Sequence, residues 1–335
     1  MNIARPVDEG APFQRPTRRP RRRRQPVLAA IDLGSNNCRL LIAEPRAGQR
    51  FRVLESFSRT VRLAEGVART GRLSDAAIAR AVAALVICAS RIRRYGEFRL
   101  RAIATEACRR ASNVEDLLNR VTEETGITLD IISADEEARL AAIGCAPLMG
   151  DGYDGALVFD IGGGSTELIW LEADEREPVY AASLPVGVVN VTETFGDAPI
   201  DEMEQALQPR FAEVAVQMKA VRPFRADGRH LLGTSGTVTT LAALALGLRR
   251  YDRDRVDGSW HESGQIREVV EKIAALDLAG RAELNCIGPE RADLVLAGCA
   301  IFNAIHAHWP CERLRVADRG LREGLIRELM RQSST

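Results

Sequence analysis

Ile78, Val82, Leu85, Ala89 and Ile92 recur at the three-to-four spacing of one helical face. Ser74 stands ahead of them as a cap and Gly96 beyond them as a stop, so the pattern predicts a helix over Ser74–Tyr95. Shorter apolar runs between turn residues predict strands at Val27–Ile31, Leu40–Ala43, Phe51–Phe57, Phe98–Ala104 and Ile127–Ile132. Asn113 is placed to cap a further helix that ends at Gly126. Strands alternating with helices indicate an α/β protein. A second unit begins near residue 133, where Ser133 and Glu136 have the spacing of a capping box and open a helix to about Cys145. Strands follow at Ala156–Asp160 and Glu167–Glu172. Helical patterns fill 188 to 309, broken by a strand at Arg229–Leu232. A last strand, Leu314–Ala317, and a terminal helix from about Gly320 close the chain.

An internal repeat organises these elements. Residues 31–44 (IDLGSNNCRLLIAE) align without gaps on 159–172 (FDIGGGSTELIWLE), at an offset of 128 residues. Each copy is strand, Asp-x-Gly turn, strand. Two units that each offer such a turn imply related halves facing one cleft.

Composition changes the picture in two places. The chain has 335 residues and no formal net charge, but residues 1–25 hold eight Arg against Asp8 and Glu9. Eight against two leaves that segment at +6 and therefore the other 310 residues at −6. Its Pro residues and lack of large apolar side chains predict a disordered tail, either a polyanion-binding arm or, the preferred reading, an inert leader. No apolar run approaches the ~18 residues that span a bilayer, so a membrane is not expected. Seven scattered Cys without C-x-x-C spacing suit a reducing cytoplasm and small apolar packing. The isolated His306-x-His308 pair lacks the spacing for a shared metal on a helix.

Three loops carry candidate chemistry. In Asp160–Glu167 the run Gly162, Gly163, Gly164 lets backbone N–H groups approach an anion, and Ser165 adds a hydroxyl. A plain glycine-rich hairpin would look similar, but flanking strands and the second copy at 32–37 favour phosphate. Asp160 and Glu167 beside a phosphate cradle would repel it unless a cation lies between them, which implies Mg²⁺. Gly233-Thr234-Ser235-Gly236-Thr237 joins a strand to a helix and suits another phosphate, or is an ordinary turn capped by Thr237. Glu136 is required for the capping box; Glu137 is not, and is a candidate general base. Arg109 and Arg110 follow a strand, and a guanidinium fork fits phosphoryl oxygens.

Taken in order, these segments resemble the exopolyphosphatase / guanosine pentaphosphate phosphatase (Ppx/GppA) family of the actin-like ATPase superfamily. The resemblance runs from about 28 to 325. It rests on Ala30–Asn36, on Ala104-Thr105 with Arg109 and Asn113, on Ile132–Leu140 and on Asp160–Glu167. Ser183–Gly187, Gly233–Thr237, Glu290–Asp293 and Gly320–Gly324 complete the series. Asn37 stands where the family usually has Ser, and Ala134 where Gly is common. The chain is similar to the short two-domain form.

The resemblance implies two ribonuclease-H-like (actin-like ATPase) α/β domains flanking a cleft: 26–132 plus about 317–335, and 133–316. It implies Glu137 as the catalytic carboxylate. Asp32, Asp160 and Glu167 are the expected Mg²⁺ ligands. Gly34, Ser35, Asn36, Arg109, Gly162, Gly163, Gly164, Ser165, Gly233, Ser235, Gly236 and Thr237 are the expected phosphate binders. The implied reaction is hydrolysis of the terminal phosphate of inorganic polyphosphate, with guanosine pentaphosphate as the alternative substrate. More distant alternatives are an ATP-dependent small-molecule kinase and a non-catalytic phosphate sensor. The segment Ile132–Leu140 argues against the first and the presence of Glu137 against the second. A homodimer is left open, and nucleic acid is expected only through the basic tail.

Overall fold

The structure is a computed structural model that describes residues 26–332 except 49, 176 and 177. The Arg- and Pro-rich tail lies outside the described residues. The first half opens with β1 (Val27–Leu33), β2 (Asn37–Arg46) and β3 (Arg50–Thr60), followed by α1 (Val67–Thr70), α2 (Asp75–Arg93), β4 (Phe98–Ala104), α3 (Glu106–Arg110), α4 (Val114–Thr125) and β5 (Asp130–Ile131). The strands form one sheet in the order β3-β2-β1-β4-β5. β1 pairs antiparallel with β2 and parallel with β4.

The second half repeats the plan. After α5 (Ala134–Cys145) come β6 (Gly155–Ile161), β7 (Thr166–Glu172), β8 (Tyr180–Leu184), α6 (Val188–Phe195), α7 (Ile200–Val221), β9 (Arg229–Thr234) and α8 (Ser235–Ala245). The chain continues through α9 (Arg253–Val256), β10 (Trp260–Glu262), α10 (Ser263–Ala274), α11 (Leu278–Glu283), α12 (Val295–His308), β11 (Arg313–Ala317) and α13 (Leu321–Arg331). The second sheet runs β10-β11-β9-β6-β7-β8. Its β8-β7-β6-β9-β11 portion has the order and strand directions of the first sheet, so both are ribonuclease-H-like. β10 adds an antiparallel edge strand inside what the sequence pattern shows as helical.

Period-two alternation splits the central strands between two cores. Ala29, Ile31 and Leu33 face the α2 side with Ile78, Val82 and Leu85. Leu28 and Ala30 face the other way, onto Leu321, Leu325 and Leu329 of α13. α5 follows the last strand of the first sheet yet packs Ala138, Ala141 and Ala142 on the second, against Ala156, Val158 and Ile169. α13 follows the last strand of the second sheet and returns to the first. The two connecting helices therefore cross between the sheets. At the crossing a Cβ on Gly144 would collide with the Gly320 backbone, and one on Gly324 with the Leu140 carbonyl. Around it, Arg101 of β4 and Arg139 of α5 both pair with Glu328 of α13 and with Glu136. Among the described residues no helix is long and apolar enough to cross a membrane.

Local signals fare unevenly. Ser74 caps α2, accepting from the Ala77 N–H at 3.2 Å, and Gly96 follows it with φ +76°. Asn113 precedes α4 but does not cap it; its amide instead bonds the Leu73 N–H and carbonyl, at 2.8 and 3.1 Å. The capping box at Ser133 is half formed. Ser133 Oγ accepts from the Glu136 N–H at 3.2 Å, while the Glu136 carboxylate goes to Arg101 and Arg139. Ion pairing to two guanidiniums outcompetes one neutral N–H. All seven Cys are buried.

The crossing gives a test of packing. Gly144→Ala should destabilise by about 1–3 kcal/mol, because a backbone neighbour cannot rotate away. Gly264, in α10, has open space around it, and Gly264→Ala should be neutral or stabilising by up to about 1 kcal/mol. Thermal melts of both variants check this; equal melting shifts would refute the tight crossing.

Candidate active site

The duplicated turn is reproduced down to its hydrogen bonds. In the first copy the Gly34 N–H donates to the Asn37 carbonyl at 2.9 Å; in the second the Gly162 N–H donates to the Ser165 carbonyl at 2.8 Å. In the second copy α6 then takes the loop from behind. The Val188 and Val189 N–H groups donate to the carbonyls of Gly162 and Gly163, and Asn190 Nδ2 donates to that of Gly164 at 2.9 Å. With three successive carbonyls tied back, the N–H groups of Gly163, Gly164 and Ser165 have no acceptor among the described residues. Those of Ser35 and Asn36 in the first loop have none either. Buried or half-buried donors in this condition suit an anion.

The two loops meet face to face. A Cβ on Gly163 would lie 2.9 Å from the Asn36 backbone nitrogen, and one on Gly164 would overlap Glu106 and Ser35. Glycine is thus required for this approach as well as for access to an anion. Two further links hold the halves together. Arg62, at φ +46°, pairs with Asp293 at 2.9 Å and reaches the Glu290 carbonyl at 3.2 Å. The Gly66 N–H donates to Glu193 at 2.7 Å. The Val61 and Arg62 N–H groups both donate to the Asn36 carbonyl, so this segment hangs on the first loop.

Between the halves lies a cleft of about 810 Å³. Asp32, Gly34, Ser35 and Asn36 line it from the first copy, and Asp160, Gly162, Gly163, Gly164, Ser165 and Glu167 from the second. Glu137 enters from α5, and Ser235, Gly236 and Thr237 from the start of α8. Ser235 is buried, has φ +92°, and its hydroxyl has no partner; Asn36 Oδ1 is likewise unpaired. Thr237 lies inside α8 and does not cap it, since the cap position is Thr234.

Two expected phosphate binders are placed elsewhere. Gly233 does not line the cleft: it lies under the Phe159 ring and Val238, where a Cβ would collide. Arg109 donates to Glu137 Oε2 at 2.7 Å and to the Ile132 carbonyl at 3.0 Å, so it stands behind the carboxylate and outside the cleft lining. Glu137 and Glu136, adjacent in sequence, diverge as the helix turns. One enters the cleft, and the other joins the ion-pair cluster at the helix crossing.

Four buried or half-buried carboxylates shape the electrostatics. Burial pushes Glu137 up to about 7, against the pull of Arg109 and with help from Asp32 and Asp160. Burial raises Asp160 to about 6, with Asp32 adding to the shift. Asp32 and Glu167 are raised for the same first reason, Glu167 also by Glu137 and Asp160. The Glu167 carboxylate accepts from Ser165 and Ser183 hydroxyls at 2.7 and 2.8 Å. Among the described residues no three His, Cys, Asp or Glu side chains converge to hold one ion. The expected Asp32–Asp160–Glu167 trio is therefore not assembled as a three-carboxylate site; Glu167 is taken up by hydroxyls.

The charges that sequence reasoning missed are cationic. Arg39, Arg291 and Arg322 line the cleft, and among the described residues none has a carboxylate within ion-pair distance. Burial pulls Arg291 and Arg322 down, and Arg39 lowers both further. The cleft carboxylates feel them, Arg39 pulling down Asp32 and Asp160 and Arg322 pulling down Asp32; guanidiniums crowded together suit a multiply charged anion. A signal existed: Arg39 occupies the repeat position of Glu167. Arg291 and Arg322 lie within the segments Glu290–Asp293 and Gly320–Gly324, which carried no assigned role.

The model of the Ppx/GppA phosphatase family matches residues 41–333. The chain is 29% identical over 301 residues to "Exopolyphosphatase 1" of Mycobacterium tuberculosis, covering 89% of this chain and 87% of the relative. It is 32% identical over 309 residues to "Guanosine-5'-triphosphate,3'-diphosphate pyrophosphatase" of Aeromonas hydrophila, covering 91% of this chain and 60% of that longer protein. The crystal structure of the Aquifex aeolicus Ppx/GppA family member superposes with a TM-score of 0.76 at 30% identity, over 92% of this chain and 99% of that one. Duplicated glycine loops facing one cleft, and a match spanning both sheets, place the chain in the Ppx/GppA phosphatase family.

Proposed function

We propose that the protein hydrolyses the terminal phosphoanhydride of inorganic polyphosphate, with water activated by Glu137. The observation that carries this reading is the pair of opposed glycine loops, whose unpaired N–H groups face a cleft that also holds a carboxylate with a raised pKa. Gly34–Asn36, Gly162–Ser165 and Ser235–Thr237 bind phosphate oxygens, and Arg39, Arg291 and Arg322 neutralise the chain. Glu137 accepts a proton from water, and Arg109 holds its carboxylate in place. Fixed donors suit phosphoryl transfer, where positioning and electrostatics dominate the barrier. The cleft of about 810 Å³ exceeds what a phosphate chain end fills. That room supports guanosine pentaphosphate as the second reading. Phosphate release from polyphosphate, guanosine pentaphosphate and ATP, measured side by side, decides between them; preference for ATP would overturn both.

A divalent cation fits the donor set. Asp32 and Asp160 are hard oxygen ligands, near enough for Asp32 to raise the Asp160 pKa, and Mg²⁺ commonly takes one or two carboxylates, with water and substrate phosphates completing its shell. Bound there, the cation would offset carboxylate–phosphate repulsion and polarise the anhydride.

Three outcomes are expected. Glu137→Gln should abolish turnover while polyphosphate binding persists, and Glu136→Gln should leave turnover and cost about 1 kcal/mol or less in stability. Equal loss of activity in both variants would remove Glu137 from its role.

Arg109→Gln removes the cation that holds Glu137 down. The acid limb of the pH–rate profile should therefore move to higher pH, with KM little changed. A raised KM with an unmoved limb would make Arg109 a phosphate ligand instead.

In chelated protein, Glu137 and Asp160 titrate above their unfolded values. The native state then binds more protons, and stability falls as pH rises from about 4 to about 7. Mg²⁺ should raise the melting temperature, and more at pH 8 than at pH 5, where the sites are protonated. No Mg²⁺-dependent shift at either pH would count against the cation site.

A further inference from the structure

Behind the second glycine loop, on the α6 side, lies a separate cavity of about 320 Å³. Its walls come from both halves. Ala68 and Arg110 belong to the first; Val186, Val191, Phe195 and Leu207 belong to the second. The apolar floor carries two guanidiniums at its rim, Arg110 and Arg210, and no carboxylate lines it. Arg210 is exposed and has no ion-pair partner among the described residues, and Arg110 spends Nη1 on Glu106 at 3.1 Å. An open apolar groove flanked by two exposed guanidiniums has the composition of a site for a small ring-bearing anion.

Hydrogen bonds lead from the cavity to both loops, one bond to the second and two in series to the first. Asn190 lines it and also donates to the Gly164 carbonyl at 2.9 Å. Arg110 lines it and holds Glu106, which accepts from the Ser35 hydroxyl at 3.4 Å. We propose that this cavity is a second, non-catalytic site for a small amphipathic anion, an aromatic ring bearing one sulfonate, phosphate or carboxylate, and that its occupant favours the closed arrangement of the two halves. A ligand in contact with both walls binds best where both are present, and so shifts the population toward closure. Phosphate chains in the cleft need the loops together as well. Each ligand therefore raises the other's affinity by the same factor, a coupling that rests on the cleft reading above.

The test uses the full chain carrying Glu137→Gln, so that nothing is hydrolysed, and the fluorescent probe anilinonaphthalene sulfonate. The probe should bind saturably at one site, and saturating inorganic tripolyphosphate should tighten that binding. Arg210→Glu, at an exposed position of α7, should weaken the probe about tenfold or more. Ala206→Trp, which fills the mouth from an exposed position, should do the same. Displacement of the probe by tripolyphosphate would put it in the cleft and overturn the proposal, as would unchanged probe affinity in both variants. Calorimetry with tripolyphosphate alone separates the two readings. If it does not bind, the cleft reading fails, and the cavity is judged on the two variants.

Discussion

A buried carboxylate is costly without a counter-charge, and four of them, buried or half-buried, line this one cleft. Asp32, Asp160, Glu137 and Glu167 are all pushed toward the protonated form, first by burial and then, in all but Asp32, by one another. The fold meets that cost with cations and dipoles held on separate elements. Arg109 bonds Glu137 from behind. Serine hydroxyls hold Glu167. Three guanidiniums with no ion pair among the described residues line the same space. Each charge is weak as an argument alone; together they are what the proposed anionic occupant and cation rest on.

That balance depends on how closely the halves approach. The glycine loops touch because neither Gly163 nor Gly164 brings a Cβ into the contact. At the other end of the interface α5 and α13 cross backbone to backbone, for the same reason, at Gly144 and Gly324. Glycine thus acts at two ends of one interface. At the crossing it permits close packing of helices, and at the loops it permits close packing around an anion. The Arg62–Asp293 pair lies near the loop end, and because Asn36 accepts from the Arg62 N–H, any movement of the latch reaches the first loop directly.

Duplication explains the symmetry of the site, and divergence explains its chemistry. Both turns close with the same Gly-to-i+3 hydrogen bond. One repeat position then holds Arg39 and the other Glu167, both lining the cleft with opposite charge. The two copies supply a common backbone frame, and the differences between them make the cleft asymmetric.

Much of the architecture was legible in the residues themselves. Period-two strands, the helix from Ser74 to Gly96 and the repeat at an offset of 128 residues depend on local stereochemistry, which a linear string displays. The glycine loops were legible because an anion cradle needs consecutive residues. Partners distant in sequence were not. Arg109 meets Glu137 across 28 residues, and Asn113 turns from its helix to Leu73 across 40. Glu136 leaves its capping box for Arg101 and Arg139, and Gly233 lies under a phenylalanine ring, outside the cleft lining. Side chains choose partners by distance in space and by charge, and only the packed structure supplies those distances. The sequence determined where the duplicated glycine turns fall. Tertiary packing decided which charges stand beside them.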